Sequence, residues 1–203
     1  MTGDTINFTI GDSDNFGSDP VTFNATIEDI GDNLKFTVNV VLETNMENIA
    51  DLRGIFIDIA DESLLEDLSV SGEDVSDSIF KANNVINLED GNNLNGGTNK
   101  FDIGFEFGTS GIGFDDIRST MFTLSHDSEN LSLDLFTGQR FGAGLASTGQ
   151  ENSSRNRSSK AVGIIPDEPN DSEPIDVPKP ATAIALGLFA TGCLVMNKKN
   201  KAE

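Results

Sequence analysis

The sequence predicts an all-β chain, an antiparallel β-sandwich or jelly-roll-like domain, on three observations. Apolar and polar residues alternate with period two in short runs between Val21 and Leu145, the spacing of a strand with one buried face. Stretches rich in Gly, Asn, Asp and Ser separate those runs, as turns require. Helical periodicity is scarce before residue 177. About eight to ten short strands at this spacing indicate two packed sheets. The expected organisation is a sandwich over residues 1–165, an acidic Pro-rich linker over 166–176, and a C-terminal sorting or anchor segment over 177–203.

Taken in order, Val21, Phe23, Ala25 and Ile27 share one face, and Leu34, Phe36, Val38, Val40 and Leu42 share another, with Lys35, Thr37 and Asn39 opposite. Ile55, Ile57 and Ile59 lie on one side of a strand whose other side carries Phe56, so this strand is expected centrally or covered on both faces. In Phe101-Asp-Ile-Gly-Phe-Glu-Phe107 the four apolar side chains line one face, and Asp102, Gly104 and Glu106 are expected in water. Met121–Leu124, Phe141–Leu145 and Ala161–Ile165 continue the pattern. Leu68–Val70 and Leu131–Leu135 have the look of short edge strands, and Ser147–Lys160 of a long exposed loop. From Pro166 to Asp176, three prolines and several carboxylates without an apolar period make a disordered linker.

The chain has 203 residues and a formal net charge of −21. Such a surface repels phosphates, which argues against nucleic-acid binding. The one cysteine, Cys193, falls in a C-terminal apolar run, so the preceding domain can form no disulfide. His126 is the only histidine, between Ser125 and Asp127; neighbours on a strand point to opposite faces, so this triplet is no nucleophilic triad. Zinc needs clustered Cys and His. A glycosidase needs only two carboxylates, which the chain has, and a secreted carboxylate-dependent hydrolase is therefore the alternative to a non-enzymatic reading. With 14 Phe but no Trp or Tyr, sugar-stacking surfaces are scarce.

Calcium is the one cofactor that the composition favours, because hard cations take carboxylate and carbonyl oxygens from loops. Asp12, Asp14 and Asp19 in Gly11–Asp19, and Asp90 in Glu89–Asn93, are its candidate ligands. The first imitates the start of an EF-hand loop, but Phe16 and Phe23 occupy ligand positions. Solvated acidic turns are the plainer explanation of both.

The last 27 residues carry the functional information. Val177-Pro178-Lys179-Pro180 precedes Ala181–Met196, 16 residues without a charge, and then Lys198, Lys199 and Lys201. As a helix the apolar run would extend about 24 Å, against a hydrocarbon core of about 30 Å, so bilayer thinning or lysine snorkelling must help it cross. The lysines place the C-terminus on the cytoplasmic side and the preceding residues outside. Export then expects a leader upstream of Met1, since Met1–Ile6 has neither a basic nor an apolar leader region.

This order of parts resembles the PEP-CTERM sorting signal of Gram-negative exported proteins, with Lys179 where that family has glutamate. The body is more loosely similar to cyanobacterial exported PEP-CTERM proteins of unassigned activity, at Asp51–Ile59, Phe101–Gly113 with Asp116–Ser119, and Gly149–Lys160. The resemblance implies transient membrane anchoring, processing by exosortase, and a cell-envelope or exopolysaccharide setting. The expected function is an acidic, surface-displayed module with a structural or adhesive role.

Overall fold

A computed structural model of the protein describes residues 3–11, 21–41, 48–88, 94, 100–109, 115–150, 155 and 157–167. Every described residue lies in one compact unit, Met1–Asp171. Residues 168–176 of the expected 166–176 linker and the whole C-terminal segment, with Val177, Pro178, Lys179, Pro180, Lys198, Lys199 and Lys201, lie outside the described residues, as do Asp12, Asp14, Asp19 and Asp90.

Among the described residues, ten strands form two antiparallel five-stranded sheets. The strands are β1 (Thr5–Gly11), β2 (Thr22–Asp29), β3 (Leu34–Val41), β4 (Asn48–Ile57), β5 (Leu68–Gly72), β6 (Val75–Val85), β7 (Phe101–Phe107), β8 (Ser119–His126), β9 (Arg140–Gln150) and β10 (Arg157–Ile164). The first sheet runs β1-β2-β3-β8-β5 and the second β10-β9-β4-β7-β6. The β2–β3 reversal shows how local chemistry sets the register. Gly31 takes φ +104°, which a side chain would resist, and its N–H donates to Asp29 Oδ1 at 2.8 Å in an Asx-type turn.

The inner faces close on one core. Ile6, Phe23, Ile27, Leu34, Phe36, Val38, Phe122 and Leu124 come from the first sheet; Leu52, Ile55, Ile57, Ile103, Phe105, Phe107 and Phe141 come from the second. Ring pairs join the sheets, with Phe105 and Phe122 centroids 4.8 Å apart and Phe8 edge-on to Phe141 at 5.2 Å. Aromatic contacts at such distances add to the burial of apolar area.

The expectation for Phe101–Phe107 needs correction. Every residue of β7 is buried, Asp102 and Glu106 included. The second sheet is covered on its outer side by a separate apolar cluster of Phe56, Val85, Leu88, Leu94 and Phe101, so Phe101 belongs to that layer rather than to the main core. Gly104 lies beneath it: a Cβ there would sit 2.7 Å from Leu88 Cδ2 and 2.8 Å from Val85 Cγ1. Absence of a side chain thus lets a second layer approach the strand. β4 is central, between β9 and β7, with Phe56 on the outer side, as its apolar residues on both faces predict.

Two further expectations change. Leu133–Leu135 is a 3-10 turn, not an edge strand; Phe136 N–H bonds back to Leu133 O at 2.9 Å, and Leu131 and Leu133 are buried without a ladder partner. Ser147–Lys160 is largely the β9–β10 hairpin, in which Ser147, Thr148 and Ser159 are buried. Leu68–Gly72 is an edge strand, as expected.

Candidate functional site

The outer face of the first sheet is a ladder of short uncharged polar side chains. Cross-strand register aligns Thr9, Asn24, Asn39 and Ser119 in one row, and Asn7, Thr26, Thr37 and Met121 in the next. Alternation produces this face: on each strand the apolar partners Phe8, Ala25, Val38 and Phe122 turn inward. Thr9 Oγ1 donates to Asn24 Oδ1 at 2.7 Å, Ser119 Oγ to Asn39 Oδ1 at 2.7 Å, and Thr26 Oγ1 to Asn7 Oδ1 at 2.8 Å. These bonds use the amide oxygens, and because Asn7, Asn24 and Asn39 are exposed, their Nδ2 groups can donate to a partner from this face. The residues Asn7, Phe8, Thr9, Asn24, Ala25, Thr26 and Asn39 line a shallow depression of about 450 Å³. Neither row holds a charge, and the adjoining row carries the cross-strand pair Lys35–Glu28, which cancels.

A second constellation is buried at the end of the sandwich where residues 115–118 bridge the sheets, Leu52 N–H bonding to Ile117 O and Val40 N–H to Arg118 O, both at 2.8 Å. Asp51 is fully buried on β4, and its Oδ1 accepts from Ile117 N–H at 2.9 Å. Loss of solvation pushes its pKa up to about 6, against the opposing Ile117 hydrogen bond and Arg53 charge. Arg53 Nη2 lies 3.6 Å from Glu106 Oε1 and Nη1 3.8 Å from Asp115 Oδ1. Asp115 Oδ2 accepts from Thr109 N–H at 2.8 Å, and Asp116 pairs with Arg155. The arrangement ties the bridging segment to β4 and β7.

Other carboxylates also have structural work. Asp102 accepts from Ile59 N–H at 3.0 Å and from Asn83 N–H at 2.7 Å. Asp58 takes a two-pronged pair from Arg140 at 2.5 and 3.2 Å, yet burial raises its pKa overall. The Arg140 guanidinium also stands over the Phe101 ring, 4.6 Å from its centroid. His126 ends β8, and its Nδ1 accepts from Ser128 and Glu129 N–H at 3.2 and 2.9 Å, so it caps a turn.

Among the described residues no group of three or more His, Cys, Asp or Glu side chains could hold a metal ion, and no helix is long and apolar enough to cross a membrane. The polar rows were not among the residues singled out from sequence. Their signal was present: Thr5-Ile-Asn7-Phe-Thr9 and Thr22-Phe-Asn24-Ala-Thr26 repeat one pattern, and Thr37-Val-Asn39 continues it. Fold and surface together define an acidic, all-β, two-sheet protein with one neutral polar face. Comparison of the chain with protein-family models, curated proteins and solved structures gives no match.

Proposed function

We propose that the chain is an exported acidic β-sandwich protein with a structural or adhesive role at the cell envelope. In this reading residues 166–176 are a linker, and residues 177–203 form a PEP-CTERM-like sorting signal with a membrane helix, open to exosortase processing. The observation that carries it is the order of Val177–Pro180, the uncharged run Ala181–Met196, and Lys198, Lys199 and Lys201. A span flanked by lysines on its C-terminal side favours a cytoplasmic C-terminus and an outer body.

The reading takes the protein as non-enzymatic, and two buried carboxylates have structural roles that fit it. A carboxylate-dependent hydrolase needs two acids converging on a substrate. Asp51, whose pKa burial raises to about 6, is fully buried and hydrogen-bonded to Ile117 N–H. Glu106 is buried beside Arg53. Both hold the chain together rather than face a ligand.

A reporter active only in the cytoplasm tests the topology. Fused after Glu203 it should be active, and in place of residues 1–165, behind an export leader, it should be silent. The reverse pattern refutes the reading.

A further inference from the structure

We propose that the exposed face of β1, β2, β3 and β8 binds an uncharged polysaccharide chain. The inference rests on the reading of the protein as an extracellular adhesive or matrix component, and it gives that component a binding surface. Three features select the ligand class.

The first is hydrogen-bonding chemistry. In each of the Thr9–Asn24, Ser119–Asn39 and Thr26–Asn7 pairs the hydroxyl proton goes to the amide oxygen. What remains is a set of outward amide donors alternating with hydroxyl lone pairs. Sugar hydroxyls, each a donor and an acceptor, match such a mixed array without needing any one group to ionise.

The second feature is charge. The chain carries −21 overall, yet the two central rows carry none, and the Glu28 and Lys35 side chains beside them pair with each other. An anionic polymer would meet a net-negative body with no compensating cations on this face. A cationic polymer would find its partners on the acidic loops instead. A neutral polyol is the ligand that this face accepts without a desolvated, unpaired charge.

The third is shape. Four strands at about 4.7–4.9 Å spacing make each row about 14 Å long, and successive rows lie about 6.7 Å apart. This suits a polymer laid across the strands rather than a single enclosed ring. A second copy of the chain fits less well: stable dimers bury apolar and aromatic side chains at the centre of about 1,600 Å². Here the rows offer only Met121 as a large exposed apolar group, 55% exposed. With no aromatic platform, each sugar contributes little, and binding depends on several contacts along one chain.

The test is affinity electrophoresis of the full chain in mild detergent, in native gels containing hydroxyethylcellulose, galactomannan or dextran, with alginate as the charged comparison. At least one neutral polymer should retard the protein, and alginate should not. Asn24→Asp combined with Asn39→Asp keeps the oxygen that accepts from Thr9 and Ser119 but replaces the outward donors with charge. Loss of two such contacts should weaken binding about fivefold or more. Ser76→Asp with Asn84→Asp, both on exposed positions of β6, adds the same charge elsewhere and should leave retardation unchanged.

Thermal melts verify folding of each variant; if the row variant melts without cooperativity, Thr37→Lys in the adjoining row is measured against the same expectation. The proposal is overturned if no neutral polymer retards the protein, if the row variant is retarded like its parent, or if alginate retards it equally. Concentration-dependent self-association that the row variant abolishes would also overturn it, by assigning the face to a second copy. Retardation is read on purified protein, so it is independent of location, whereas the reporter fusions read location independently of any ligand.

Discussion

Asp51→Asn should make the protein less sensitive to rising pH. Asp51 is fully buried and its pKa is raised from 3.8 to about 6. A carboxyl whose folded pKa exceeds its unfolded value contributes stability below the unfolded value, and that contribution is lost as pH rises through the folded one. At about 1.4 kcal/mol per pKa unit, the full loss is about 3 kcal/mol, of which about 2 kcal/mol falls between about pH 4.5 and about pH 7.5. An asparagine retains the Oδ1 acceptor for Ile117 N–H and cannot ionise. Its extra buried N–H groups shift stability at both pH values alike, so the informative quantity is the pH slope rather than the absolute value. Urea unfolding of parent and variant at both pH values supplies it. Asp58, also raised by burial, contributes to both proteins and cancels in the difference. The parent should lose about 2 kcal/mol more than the variant over this interval. Equal slopes would refute the claim that burial holds Asp51 in its neutral form.

Glu106→Ala should cost about 3–5 kcal/mol, because it leaves the Arg53 guanidinium buried without its nearer carboxylate. Phe105→Ala, which removes a ring packed on Phe122, should cost a similar amount, and urea midpoints compare the two; a neutral Glu106→Ala would mean that its side chain reaches water. Gly104→Val should destabilise by about 1–3 kcal/mol, since the added methyls must displace Leu88 and Val85. A thermal melt unchanged by Gly104→Val would show that the outer layer is not seated on β7.

The facing of most strands was legible in the sequence. Phe23, Ala25 and Ile27 in β2, and Phe36, Val38 and Val40 in β3, are buried as period two predicts. β7 was misjudged because Asp102 and Glu106 have the polarity of a wet face, and the groups that allow their burial are distant in sequence. Ile59 and Asn83 N–H supply partners for Asp102, and Arg53 stands by Glu106. The one local warning was Gly104, a glycine within a strand, which often marks a close approach. β6 was illegible for another reason: it is an edge strand, mostly half-buried or exposed, with a register shift between Phe80 and Val85, so no clean alternation develops. β1 did alternate, at Ile6, Phe8 and Ile10, and its polar side holds part of the neutral rows, whose short uncharged side chains carry no charge or metal-ligand pattern.

The two sheets are unequal, and the inequality locates the surface available to a partner. The outer side of the second sheet is occupied by Phe56, Val85, Leu88, Leu94 and Phe101, with Ile79 and Val162 against them. Burying this layer removes apolar surface from water and commits the face to stability. The first sheet has no such cover at Asn7, Thr9, Asn24, Asn39, Ser119 or Met121, all exposed. A protein selected only for solubility could place Lys or Glu at these positions, as it does on its loops, since cross-strand charge pairs are tolerated. Lys35 and Glu28 show that such a pair is accommodated on this very face. The uncharged rows are therefore not imposed by the fold, and the proposed contact with a neutral polymer would account for them in a chain whose net charge is −21.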